Sequence, residues 1–213
     1  MTLPLQPGDP DRHGFLVVFE GLDGSGKSTQ ARRLCDYLNA QGREAIFSFE
    51  PTDGPHGRAL RDLWKRGERH DPEAELELFR RDREEHIANL IDPGLRRGAV
   101  VILDRYYYSS VAYQGVRGVR SPEEIYALMA SFAPRPDLTL LFDLPVDTAL
   151  ERITGNRQEL PNVLEARDNL ARVQAAFEAM PYPEIRPLDA TGSPDEVFGL
   201  VLELVLPVIG EEG

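Results

Sequence analysis

Residues Gly21 to Thr29 read GLDGSGKST, and within them Gly21, Gly26, Lys27 and Ser28 fit the spacing G-x-x-x-x-G-K-[ST]. These residue types hold a polyphosphate. Glycines let backbone N–H groups turn inward onto phosphate oxygens, Lys27 reaches the β and γ phosphates, and the Ser28 hydroxyl suits Mg²⁺. Leu22, Asp23, Gly24, Ser25 and Thr29 complete the loop, so the whole run from Gly21 is a candidate ATP site.

A second cluster, AVVILDRYYYSS, ends an apolar run on Asp104 and follows it with Arg105. An acid in that place supports Mg²⁺ directly or through water, and the arginine offers a permanent cation to a second phosphate. Ser28 and Asp104 are therefore the candidate Mg²⁺ residues, and Lys27, Asp104 and Arg105 the candidate catalytic ones. The only lysines are Lys27 and Lys65, so the N-K-x-D guanine reader of GTPases cannot occur. The lone Cys35 can form neither an internal disulfide nor a thiolate metal cluster. His13, His56, His70 and His86 show no metal-ligand spacing.

These residues need a scaffold that delivers them to one edge. The pattern alternates from Phe15 onward: FLVVFE predicts a buried strand, a helix runs through Leu38, and EAIFSFE predicts a second strand ended by Pro51. Helical patterns cover Gly57 to Lys65, Pro72 to Arg97 and Pro122 to Phe132. Further strands are read at AVVILD, LTLLFD and EIRPLD, with a last helix from Pro194. Five strands interleaved with helices predict an α/β fold with a parallel sheet covered on both faces and ligands at the strands' carboxyl ends. Residues 1–14, rich in proline and glycine, read as a flexible leader, and 15–213 as a single domain. The polar segment near Gly155 to Pro161 places a short lid at about 153–163.

A net charge of -12 repels polyanions over most of the surface, which argues against a nucleic-acid partner but not against a small nucleotide in a local basic pocket. No apolar run approaches membrane-spanning length and the N-terminus lacks signal-peptide regions, so no membrane partner and a cytoplasmic location are expected.

Together the loop GLDGSGKSTQ, the run LFRRDR, and DRYYYSSVAYQG followed by RPDLTLLFDLP resemble thymidylate kinase across nearly the whole chain after Gly14. The most specific of them is DRxxxSxxAYQG. The resemblance implies a three-layer P-loop NTPase fold, Mg²⁺-dependent transfer from ATP to dTMP, and a homodimer. It also implies that Asp23 holds the 3′-hydroxyl, Phe79 stacks on thymine, Arg83 reaches a base oxygen and Arg105 grips the monophosphate. Ser110 faces the N3 edge, Tyr113 crowds the place of a 2′-hydroxyl, Gln114 lies near the base, and Glu50 joins the acceptor site.

Two departures stand out. The family usually has Arg-Glu-Pro after its second strand, where this chain reads Phe49-Glu50-Pro51, and Arg58 or Arg61 could substitute. Gly24 stands where one subgroup carries an arginine, which assigns a catalytic cation to the lid, with Arg157 first and Arg152 next. Asp189 to Gly192 either packs on adenine or caps a helix. The alternatives are a kinase of another nucleoside monophosphate, a deoxynucleoside kinase using Glu50 as its base, or an inactive nucleotide-binding protein.

Overall fold

The computed structural model describes residues 4–66, 71–155 and 163–210, the side chains of 163–165 apart. Five strands form one parallel sheet: β1 (Phe15–Gly21), β2 (Ala45–Phe49), β3 (Val100–Asp104), β4 (Leu138–Asp143) and β5 (Ile185–Asp189), in the order β2-β3-β1-β4-β5. Leu16 to Phe19 of β1 and Val100 to Leu103 of β3 are fully buried. Strands covered on both faces need continuous apolar runs rather than alternation. Pro187 lies in β5, where the edge of the sheet tolerates a residue without an N–H.

Helices cover both faces. α1 (Lys27–Ala40) follows β1 and packs beside α9 (Pro194–Val205). α2 (Pro55–Arg66) and α3 (Pro72–His86) lead through a π-helical turn, Ile87–Ile91, into α4 (Asp92–Arg96). The single helix expected over Pro72 to Arg97 is thus interrupted. The wide turn ends two residues before Pro93, whose ring and missing N–H oppose a regular ladder. α5 (Tyr107–Val116) was absent from the sequence-based pattern. It sits among α3, α6 (Pro122–Ala130) and α8 (Val163–Glu178), with α7 (Val146–Thr154) beside α8.

Sheet order decides where the chemistry collects. β1 is central, β3 lies on one side and β4 on the other, so the connections diverge at its carboxyl end and open a crevice there. In the register, Asp104 of β3 pairs with Phe19 on one side and Phe49 on the other.

Within the expected leader, residues 4–14 make contacts with the rest of the chain. Leu5 is buried in the main core, and the Arg12 guanidinium, also buried, donates to the Leu5 carbonyl at 3.1 Å and the Arg135 carbonyl at 3.0 Å. It also pairs with Asp137, whose carboxylate accepts from Leu16 N–H at 2.7 Å. One buried arginine and one leucine are too little periodicity for sequence reasoning to detect. Among the described residues no helix is long and apolar enough to cross a membrane.

Candidate active site

The phosphate loop runs from the end of β1 to the start of α1. Gly26 is the N-cap of α1 at φ 92°, a left-handed conformation that glycine adopts without a Cβ clash, and it leaves the first N–H groups of the helix facing the crevice. Gly24, at φ 79°, lies so close to α7 that a Cβ would meet the Ala149 carbonyl at 2.8 Å. Leu22 and Ser25 are buried, and the Lys27 ammonium donates to the Leu22 carbonyl at 2.6 Å and lies 3.4 Å from Ser25 Oγ. Burial, then the neighbouring Arg105 cation, lowers the Lys27 pKa to about 7 against the pull of Asp104, Asp23 and Glu20. A polyphosphate in the loop would supply the negative charge that restores it.

Ser28 Oγ is hydrogen-bonded to Asp104 Oδ2, while Asp104 Oδ1 is buried with no partner among the described residues. A carboxylate oxygen waiting beside a hydroxyl is a hard-oxygen donor set of the kind Mg²⁺ takes. No cluster of three or more metal-binding side chains occurs among the described residues.

Arg105 adopts φ 70°, the one positive value at a residue other than glycine among the described residues. Such a backbone costs of the order of 1–3 kcal/mol and needs its surroundings to enforce it. They do so through Glu20, which is fully buried in β1. Its Oε1 accepts Tyr106 N–H at 2.8 Å and Ser109 N–H at 3.0 Å, and its Oε2 lies 2.6 Å from Ser109 Oγ. Burial pushes the Glu20 carboxyl above its usual range, opposed by Arg105 and these hydrogen bonds. Arg105 N–H reaches the Phe19 carbonyl at 2.9 Å, and its guanidinium donates to Asp23 Oδ1 at 2.6 Å and Ser109 Oγ at 2.8 Å, lying over the Tyr113 ring. Burial raises the Asp23 carboxyl, but Arg105 and Lys27 outweigh it and hold the group below its ordinary value.

Two clefts share the Asp23 and Arg105 wall. The first, about 650 Å³, is lined by Gly24, Gly26, Lys27, Ser28, Thr29 and Asp104 of the phosphate side. The second, about 380 Å³, gathers Phe79, Arg83, Ser110, Tyr113 and Gln114, every residue that the resemblance gave to the base and sugar apart from Glu50 and the shared wall. Arg83 and Ser110 are 1% exposed, and Arg83 Nη2 lies 3.3 Å from Ser110 Oγ. Gln114 lines this cleft, and its Oε1 is buried with no partner among the described residues, an acceptor left unsatisfied by the protein.

Glu50 borders both clefts, but its carboxylate faces the protein. Oε2 accepts from Arg83 Nε at 2.8 Å and Nη2 at 2.7 Å, and Oε1 lies 3.0 Å from His86 Nδ1, whose Nε2 is 2.8 Å from Ser48 Oγ. Burial alone would raise its pKa, yet Arg83 and then His86 bring it below the usual value. Glu50 is thus paired with Arg83 and His86.

A sequence model of the thymidylate kinase family matches residues 19–200. A thymidylate kinase of Desulfotalea psychrophila is 45% identical over 184 residues, 86% of this chain and 90% of that protein. One from Xanthomonas euvesicatoria is 43% identical over 211 residues, 99% of this chain and 89% of its own, and one from Xylella fastidiosa 45% over 196 residues, 92% and 88%. The chain belongs to the thymidylate kinase family. It is accordingly a kinase, a phosphotransferase of nucleotide biosynthesis.

Against the family pattern, neither suggested substitute for the arginine missing at Phe49 is free. Arg58 donates to the Asp53 carbonyl and borders neither cleft, while Arg61 borders the first cleft with its donors on Pro51 and Thr52 carbonyls and Asp53. Arg32 of α1 borders the same cleft, its guanidinium over the Phe47 ring at 4.3 Å. Arg152 also lines it and reaches the Gly24 carbonyl at 3.4 Å. Arg157 and most of the lid lie outside the described residues. Asp189 accepts Thr191 N–H at 2.9 Å and precedes the Ser193 capping box of α9, so this segment is a turn and helix cap bordering neither cleft.

Sequence reasoning missed Glu20, Arg32 and Trp64. Glu20 had left a signal, a charged residue inside the apolar strand FLVVFEG, where an unpaired carboxylate would be prohibitively costly. Trp64 had none beyond its being the single tryptophan.

Proposed function

We propose that this family member transfers the γ-phosphoryl group of ATP to dTMP, giving dTDP and ADP with Mg²⁺, and that it works as a cytoplasmic homodimer. One observation carries the reading: the phosphate cleft and the aromatic, base-sized cleft adjoin, with Asp23 and Arg105 lining both. A donor γ-phosphate over Lys27 and an acceptor phosphate on Arg105 would face each other there.

The acceptor phosphate of a nucleoside monophosphate has a second pKa of about 6 and is already dianionic near neutrality, so its oxygen needs no general base. The protein's task is positioning and charge neutralisation. Lys27 and the N–H groups at the start of α1 hold the donor phosphates, and Arg105, kept in place by Ser109 and Glu20, orients the acceptor. Ser28 and Asp104 would hold Mg²⁺, which when bound neutralises charge on the transferring phosphates. Arg83 and Gln114 offer a donor and an acceptor to a pyrimidine edge, and Asp23 an acceptor to the deoxyribose 3′-hydroxyl. Arg152 borders the donor phosphates, and Arg157 from the lid is the other candidate cation.

A deoxynucleoside acceptor would require a base. Glu50 is poorly placed for that duty, because both of its oxygens are engaged and its pKa is lowered. Loss of catalysis is opposed by the intact Lys27, Ser28, Asp104 and Arg105. The test is ADP release from Mg-ATP with dTMP, dUMP, dCMP, dGMP, AMP or thymidine. The reading expects strong stimulation by dTMP, and turnover of thymidine but not dTMP would overturn it.

A further inference from the structure

Trp64 occupies the last turn of α2 and keeps 43% of its surface exposed, the more exposed of two large apolar side chains at the surface among the described residues. Its setting is not a random patch of surface, because it borders both clefts. Its ring centre lies 6.0 Å from that of Phe79, tilted by 43°, so the two aromatic residues form one continuous wall at the mouth of the base pocket.

The indole is also held from behind. Nε1 lies 3.3 Å from Oε1 of Glu75, a carboxylate on α3 that is only 1% exposed. Both oxygens of Glu75 also receive Arg117 Nη1, at 2.8 Å, from the end of α5. An indole–carboxylate–guanidinium chain thus ties α2 to the two helices that carry Phe79, Arg83, Ser110 and Gln114. An apolar ring fixed by a buried anchor while its face remains in water is arranged for a flat ligand that will cover it.

We propose that Trp64 is a base-contacting residue of the acceptor pocket. With Phe79 it covers the pyrimidine of the bound nucleoside monophosphate, and the Glu75–Arg117 pair sets the indole's angle. The inference rests on the reading of the second cleft as the acceptor site. It ties recognition of the base to α2, whose first turns follow the Pro51–Asp53 loop beside the phosphate cleft.

The chain's single tryptophan makes the test direct. Tryptophan emission, excited where nucleotides do not absorb, is titrated with dTMP and with 2-deoxyribose 5-phosphate, which lacks a base. A saturable change with dTMP but not with the sugar phosphate is expected. Stacking of about 1–3 kcal/mol per base corresponds to a rise in the dTMP KM of roughly 5- to 150-fold for Trp64→Ala. The KM for ATP and kcat should stay within about threefold, because the contact is made equally in ground and transition states. Trp64→Phe should recover most of the loss, whereas Trp64→Leu, which keeps apolar bulk without a stacking face, should not. Thermal unfolding of each variant identifies any that fail to fold, and the wild-type titration needs no variant. A dTMP KM for Trp64→Ala within twofold of wild type, or equal emission changes with the sugar phosphate, would overturn the proposal. If the wild type phosphorylates another nucleoside monophosphate and not dTMP, the acceptor assignment fails, and the role of Trp64 is decided by the same measurements on that nucleotide.

Discussion

Glu50→Gln isolates the contribution of the charge behind the base pocket. The substitution keeps side-chain size but leaves the Arg83 guanidinium, 1% exposed, facing a neutral amide where it now meets a carboxylate 3% exposed. Breaking one side of a buried ion pair costs about 3–5 kcal/mol, and the remaining amide oxygen puts this case near 3 kcal/mol. For a domain of this size that predicts a fall in Tm of roughly 6–12 °C near neutral pH, measured by differential scanning calorimetry. The pH dependence supplies the sharper check. The Glu50 pKa is lowered from 4.5 in the folded protein, so its stabilisation is complete above 4.5 and is lost as pH falls through the lower folded value. The wild type should therefore lose its advantage over Glu50→Gln on acidification, and the two melting curves should converge. The dTMP KM of the variant should rise at neutral pH as Arg83 loses its orientation. A Tm difference under about 2 °C near neutrality, or one that stays constant as the pH falls well below 4.5, would refute an ionised Glu50 as the anchor.

Asp104→Asn removes the negative charge of the carboxylate bonded to Ser28, and should raise the Mg²⁺ concentration needed for half-maximal activity by roughly 10- to 100-fold, read from initial rates in a Mg²⁺ titration. Arg12→Ala leaves Asp137 without its cation and should lower stability by roughly 3 kcal/mol while leaving the KM values for ATP and dTMP unchanged, since residues 4–14 pack far from the carboxyl edge of the sheet. Glu20→Gln should lower kcat and raise the dTMP KM with little change in ATP binding, because the neutral amide holds the N-terminus of α5, and so Arg105, less firmly. Equal losses in both nucleotides' affinities would instead mean that the phosphate loop had moved.

The phosphate loop was readable because it is local. Its glycines, Lys27 and Ser28 are contiguous, and a strand before and a helix after them are enough to aim the N–H groups. Asp104 and Arg105 were readable for a related reason, since they end an apolar strand. α5 was not read as a helix, because YYYSSVAYQG is rich in aromatic and small polar residues, and its helical start depends on Glu20, eighty-six positions before Tyr106. The contacts of the N-terminal segment were not legible for the same reason: Arg12 finds its partners at Arg135 and Asp137.

The sequence by itself determined that a phosphate-loop motif lies between a strand and a helix, that the fold is α/β with a parallel sheet, and which residues are candidates for Mg²⁺ ligands and phosphate cations. Those properties follow from neighbouring residues and short periodicities. Only the tertiary structure decided the strand order that places β1 between β3 and β4, and with it the meeting of two clefts on Asp23 and Arg105. It alone paired Glu50, expected in the acceptor site, with Arg83 and His86, and brought Trp64 against Phe79. Each of these pairings joins residues on different elements, where packing of the apolar faces, and not the local chain, fixes who meets whom.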